Sequence, residues 1–389
     1  MSVRVEVRPG LLEWARARSG IDEADWQRRF PDYEVWWSGA GAPTLKQLEG
    51  FAHKTHTPVG FFFLDEPPVE KVPIPDFRTM ADRPLGAGRG VVASADLLDV
   101  IYGCQARQEW YRDHQLLNGE PPLEFVGSAR VADAVEVTAS RMRELLEWTS
   151  DTRGRCRDAD AAVAWLRERA EAAGVLVMVS GIVGSDTHRV LDPQEFRGFA
   201  LADRHAAAVF VNASDSKTAQ VFTLVHELAH LWLGETALSD IAAESTASSA
   251  VERWCNQVAA EVLVPMSEFL ARFERDADVM PQLQPLAEYF RVSTQVILGR
   301  AREAGAFGWD RYLALLQAER IRVVGVAGRA GSGGNYYNTK PVQVSKRFAR
   351  AVVASALEGR TPYPQAFRLL GLKKASTFDR LAVKLGVLA

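Results

Sequence analysis

The spacing of apolar residues along the chain predicts mostly helices. Near the N-terminus, Leu11, Leu12 and Ala15 fall on one helical face, and Gly20 closes that helix. A similar pattern follows Pro43 and continues to residue 52. Longer helices are predicted at residues 94–117, 131–148 and 158–173.

The middle of the chain changes to short apolar runs, which predict strands. They lie at residues 175–179, 196–201 and 208–211. Residues 221–233 are then apolar all round a helix, which indicates a buried helix that Gly234 ends. A second helix is predicted at residues 251–263, before Pro265. The pattern therefore predicts a small sheet followed by two helices.

The buried helix carries polar residues in an H-E-x-x-H pattern, formed by His226, Glu227 and His230. Residues four apart lie on one helical face, so both imidazoles can bind one metal ion. Glu227 is then beside the open metal position and can accept a proton from water. Such a pattern also arises by chance, but two imidazoles and a carboxylate inside an apolar helix need partners. A metal ion provides them.

The third metal ligand is expected on the second helix. Glu252 can complete a site of two histidines and one glutamate, with Asn256 bonding to a ligand histidine from outside the coordination sphere. Ser249 three residues earlier gives Glu252 an alternative role in a capping box. Glu244 and Glu261 are rival ligands, and spacing alone favours Glu252 only slightly.

The two helices together resemble a known family. Phe-Thr-Leu-Val-His226-Glu227-Leu-Ala-His230, followed by Glu252-x-x-Cys-Asn256-x-Val-Ala-Ala-Glu-x-Leu-Val-Pro, is similar to the ImmA/IrrE metallo-endopeptidases. The resemblance covers roughly residues 170–305. It implies that zinc binds to His226, His230 and Glu252, and that Glu227 is the general base. Cys255 replaces an alanine that is usual in the family, and this position stays apolar.

His205 lies in the predicted turn between the last two strands. It is a candidate for stabilising an oxyanion at the metal site. The alternative is a solvated histidine in a polar turn.

The N-terminal helices resemble the Xre-type helix-turn-helix domain of phage repressors. Pro31 interrupts the expected second and third helices and leaves only residues 32–37 for a recognition helix. Residues 1–64 carry eight Arg or Lys and eight Asp or Glu, so they gain little from phosphate contacts. We expect this domain to contact protein rather than DNA.

Length and composition complete the domain description. A chain of 389 residues with 47% hydrophobic and 24% charged residues is expected to form two or three globular domains. The predicted divisions are a helix-turn-helix-like domain (1–66), a linker (67–91), a zinc peptidase domain (92–320) and a basic helical region (321–389). The fold class is α+β and mostly helical: an all-α domain, a small sheet with zincin-like helices, and a basic helical tail.

The cellular context follows from what the sequence lacks. Three widely spaced cysteines give no disulfide framework, and no apolar run has the length of a membrane span or a signal core. We therefore expect a cytoplasmic protein without membrane contact.

The C-terminal residues differ from the rest in charge. Residues 330–389 contain ten Arg or Lys and two acids, a net charge of +8 in a chain of net charge −3. This asymmetry predicts contact with DNA or with an acidic surface, which can be the chain's own acidic body.

These features favour a zinc-dependent endopeptidase. The resemblance implies a regulatory substrate, usually a helix-turn-helix repressor of a phage, mobile element or stress response. The alternative is a transcriptional regulator that binds DNA or protein and keeps a catalytically idle, metal-stabilised domain. A substrate strand is expected to add to a free sheet edge at residues 208–211.

Overall fold

The computed structural model describes residues 3–70, 72–75, 93–238, 250–326 and 336–388. The chain divides into two compact units, residues 1–73 with 86–102, and residues 74–85 with 103–389. The secondary structure is mostly helical with a small mixed sheet, so the α+β prediction is confirmed.

The first unit is a small helical domain. Its elements are α1 (Pro9–Ser19), α2 (Glu23–Arg29), α3 (Tyr33–Trp37), α4 (Leu45–Lys54) and a 3-10 helix (Val59–Phe63). Trp26, Phe51 and Phe62 are at the centre of its core. The Pro31 interruption is confirmed, because α2 ends at Arg29 and α3 has five residues. The resemblance to a repressor domain stays a prediction.

Helices before and after the sheet make up most of the remaining elements. Before the sheet are α5 (Ala95–Leu117), α6 (Val135–Leu145), α7 (Ser150–Arg155) and α8 (Ala159–Ala172). After most of the sheet come α9 (Lys217–Leu233), α10 (Ala250–Leu263), α11 (Met266–Leu270), α12 (Met280–Phe290), α13 (Thr294–Glu303) and α14 (Trp309–Val326). The C-terminal helices are α15 (Tyr336–Val344), α16 (Lys346–Leu357), α17 (Tyr363–Leu370) and α18 (Ala375–Lys384).

The main sheet has four strands in the order β1-β5-β4-β6. They are β1 (Leu176–Ser180), β4 (Gly198–Leu201), β5 (Ala208–Asn212) and β6 (Ala237–Leu238), and β2 (Ile182–Val183) pairs with β3 (Asp186–Val190) in a separate hairpin. The β1–β5 pair is parallel, and the β4–β5 and β4–β6 pairs are antiparallel. The three predicted strands are confirmed within two residues at each end.

The prediction of a free sheet edge at residues 208–211 is wrong. Val209 pairs with Val177 on one side and Ala200 on the other, so β5 is an interior strand. The apolar pattern of the strands does not specify their order in the sheet. The chain crosses over after β1, and β5 lies beside β1. On the β4 side the last strand is β6, where Leu238 donates its N–H to the carbonyl of Pro75 at 2.9 Å.

The sheet is buried on both faces. Val177, Val209 and Val211 belong to the large core that α8, α9 and α10 share. Side chains alternate across a strand, so the opposite face carries Met178 and Phe210, which are also buried. The motif helix α9 packs directly on β4 and β5, and this contact sets the position of the site.

The C-terminal helices pack within the second unit. α15 and α16 contact β1, and α16 also packs against α17 and α18. The three cysteines are free and buried. Among the described residues, no helix combines the length and the apolar character needed to cross a bilayer.

Candidate metal centre

Helix α9 is fixed at both ends by its sequence. Ser216 precedes it and accepts a hydrogen bond from the N–H of Ala219 at 3.3 Å. Gly234 follows it in the left-handed region at φ 72° and donates its N–H to Leu231. Between these ends, His226, Glu227 and His230 are fully buried.

Three donor groups converge between α9 and α10. His226 Nε2 lies 3.2 Å from His230 Nε2, and the two nitrogens lie 3.3 Å and 3.2 Å from the two carboxylate oxygens of Glu252. A tetrahedral ion with bonds of about 2.0 Å separates its ligand atoms by about 3.3 Å. The measured separations are close to this value, and one ligand atom from each residue can be chosen so that all three lie within 4.8 Å of one another. The donors fit the metal that the sequence implies.

The electrostatics of the donors agree with that fit. Burial alone would raise the pKa of Glu252, but the hydrogen bonds and charges of His226 and His230 outweigh it and lower the pKa to about 2. Burial lowers the pKa of His230, which favours the neutral imidazole that a metal requires. Burial raises the pKa of the Cys255 thiol well above its ordinary value, so this side chain offers no thiolate to an ion.

The rival ligands do not join the cluster. Glu261, on α10, forms an ion pair with Arg300 and accepts a hydrogen bond from the N–H of Met266 at 3.2 Å. Glu244 and the capping residue Ser249 lie outside the described residues. Within the described part of the chain, His226, His230 and Glu252 are the group of three whose donor atoms all lie within 4.8 Å.

Glu227 lies outside this group, against the start of β4. A Cβ atom on Gly198 would come 3.0 Å from Glu227 Oε1 and 2.6 Å from Thr223 Cγ2. A glycine is therefore needed for α9 to pack this closely on the strand. Sequence reasoning missed this residue, although a glycine inside a predicted strand often marks such a close approach.

Asn256 lies one turn after Glu252, on the same helix. Its Oδ1 is buried and has no hydrogen-bond partner among the described residues, and the same is true of His226 Nδ1. No hydrogen bond joins these two side chains in that part of the chain. The supporting role of Asn256 therefore stays a prediction.

His205 is not brought to the donor cluster. Its turn follows β4, and the neighbouring Ala202 and Arg204 share a cavity with Gly234 at the C-terminal end of α9. Gly198, beside Glu227, is at the other end of β4, three strand steps or about 10 Å from Leu201. The oxyanion role of His205 therefore stays a prediction.

The cavity at the end of α9 is also separate from the donors. It has a volume of about 430 Å³, and none of the predicted site residues lines it. Beside it, Gly127 and Ala129 donate their N–H groups to the carbonyls of Leu231 and Trp232 at 3.0 and 2.9 Å. These bonds stabilise the end of α9, so this loop has a structural role.

Comparison with protein families now adds to the geometry. Residues 170–302 match the family model described as the IrrE N-terminal-like domain, peptidase family M78. This match covers about a third of the chain and contains all three donors and Glu227. It supports the ImmA/IrrE resemblance and a metallopeptidase-type function.

A second match covers residues 344–384 and is a domain of unknown function, DUF8813. Neither match covers the N-terminal helices. Comparison with curated proteins gave no match.

Proposed function

We propose that the protein is a zinc-dependent endopeptidase of regulatory type that cleaves a helix-turn-helix transcriptional repressor. The observation that carries the metal and enzyme parts is the buried donor triangle beside an intact Glu227. The M78 match supports the same reaction class.

His226, His230 and Glu252 would hold the ion, and Glu227 would act as general base. When bound, zinc polarises a peptide carbonyl and makes water acidic enough to attack it near neutral pH. Glu227 takes a proton from the attacking water while the new C–O bond forms. It then gives that proton to the leaving amine as the C–N bond breaks.

The experiment separates ligand from base. Glu227→Gln keeps the shape of the side chain but not its basicity, so we expect full metal content and loss of cleavage, measured by metal analysis and a repressor-cleavage assay. Glu252→Ala and His230→Ala should each lose metal.

Glu261→Ala is the matched control for Glu252→Ala, because it removes another buried carboxylate from α10. It removes one of the two carboxylates paired with Arg300, which keeps Glu303 at 2.6 Å. The unfolding free energy should therefore fall by less than the about 3–5 kcal/mol expected for an uncompensated buried charge, while the metal stays bound. Metal loss in Glu261→Ala but not in Glu252→Ala would refute the ligand assignment.

The choice of a repressor as substrate is supported by the surface of the first unit. Helix α3 exposes Val35 and Trp37 and contains no arginine or lysine. In a helix-turn-helix domain this position belongs to the DNA-reading helix, and an apolar surface there fits protein better than phosphate. We propose that this surface recruits the repressor by a contact of the kind that such domains use to pair with one another.

A further inference from the structure

The last two helices of the chain have the lengths and the connecting turn of a helix-turn-helix. α17 has eight residues, α18 has ten, and the four residues 371–374 join them. Gly371 ends α17 in the left-handed region at φ 64°, and its N–H donates to Arg368 at 3.1 Å. DNA-binding motifs of this type join two short helices by a three- or four-residue turn that often contains glycine.

The two helices pack through an apolar face. The ring of Phe378 on α18 lies 5.4 Å from Tyr363 and 5.5 Å from Phe367 on α17. Leu370 and Leu381 are also buried, and α16 packs against both helices. Because this packing uses one face of α18, its other face points away from the protein.

That outer face is basic. Lys373 and Lys374 in the turn, and Arg380 and Lys384 on α18, are exposed. Residues 363–384 contain five Arg or Lys against one acid, Asp379. Their exposure makes these charges accessible to a polyanion from the solvent.

Polar groups outside α17 and α18 fix the motif in place. Arg107 Nε donates to the carbonyl of Leu369 at 3.1 Å, and Ser185 Oγ donates to that of Gly371 at 3.3 Å. Lys340 is 1% exposed and places its Nζ 3.0 Å from Ser185 Oγ. These contacts hold the end of α17, so the direction of α18 is set by the second unit.

We propose that residues 363–384 bind double-stranded DNA, with α18 in the major groove and the basic residues of the turn on the phosphates. The motif geometry and the outward charge carry this assignment together. It does not depend on the proposed peptidase activity, because none of these residues belongs to the metal centre.

The test is fluorescence anisotropy of the full-length protein with a labelled mixed-sequence duplex of about three helical turns, roughly 30 base pairs. The charge reversal Arg380→Glu with Lys384→Glu should weaken binding at least about tenfold at low salt. Lys373→Glu with Lys374→Glu gives a second, independent variant of the motif. It should make the slope of log affinity against log salt shallower by about two, since each lost phosphate contact removes about 0.9.

The control is Arg28→Glu with Arg29→Glu, which makes the same charge change on an exposed helix of the first unit. It should leave affinity within about twofold of the wild type. Melting temperatures equal to that of the wild type will show that each variant in the comparison is folded. The proposal would be overturned if the protein did not bind the duplex at low salt, or if the wild type and both motif variants bound it equally. Tighter binding of single-stranded RNA, or loss of binding only in the control, would also overturn it.

Discussion

Gly198→Ala is the sharpest test of how the fold positions Glu227. The added Cβ would lie 2.6 Å from Thr223 Cγ2, 2.8 Å from the carbonyl oxygen of Phe210 and 3.0 Å from Glu227 Oε1, where ordinary contact begins at 3.4 Å. The Phe210 oxygen is backbone of the neighbouring strand, so relief requires β4 to move away from α9 and β5. Overpacking of this kind lowers the free energy of unfolding by about 1–3 kcal/mol.

The same displacement should reach the proposed general base. A shift of about 1 Å in a catalytic group can cost about 100-fold in rate, so cleavage should fall by about 10- to 100-fold. Metal content should stay near the wild-type value, because the three donors lie on α9 and α10 and none contacts this glycine.

The measurements are denaturant unfolding, metal analysis and cleavage rate. Gly299→Ala is the matched control, because a Cβ atom at this position meets nothing within 4 Å. Since Gly299 lies inside a helix, this substitution should raise the free energy of unfolding by about 0.5–1 kcal/mol. If Gly198→Ala unfolds with the wild-type free energy, the tight contact between β4 and α9 is refuted. If it is destabilised but cleaves at the wild-type rate, Gly198 has no part in positioning Glu227.

Two further predictions concern the rest of the chain. Trp37→Ala should slow cleavage of a candidate repressor but not of a short peptide that contains the same cut site, whereas Leu117→Ala, a change at a more exposed apolar residue (87% against 44%), should affect neither; equal slowing of both substrates by Trp37→Ala would refute recruitment. Burial and Arg107 lower the pKa of Lys340 from 10.5 to about 8, so the folded protein releases this proton before the unfolded chain does, and stability rises between these pH values. Unfolding titrations at pH 8 and above 10 should show the wild type gaining up to about 3 kcal/mol relative to Lys340→Met, and a constant difference would contradict the lowered pKa.

The sequence predicted the grouping of the candidate ligands on α9 because that information is local. His226, Glu227 and His230 lie within one helical turn, and periodicity alone places both imidazoles on one face. Glu252 was less certain, since its distance from the histidines depends on how α10 packs on α9. The structure removes Glu261 as a rival by showing its bond to Arg300.

Features that depend on distant contacts were not predictable. β3 has the sequence Asp-Thr-His-Arg-Val and is largely exposed, so it lacks the apolar alternation that marks a strand. The order of the strands placed β5 in the interior and His205 at the far end of β4, and no local pattern encodes that order. Gly198 matters only because a helix 25 residues later packs on it.

The packing of α15 and α16 against β1 changes how this protein can be dissected. β1 ends the four-stranded sheet, yet all five of its residues are buried. A fragment that stops near residue 320 would uncover an apolar terminal strand, which is a template for self-association. Soluble yield would then fall for reasons unrelated to catalysis or to nucleic acid. Point substitutions in the full chain are therefore the sound way to separate its activities.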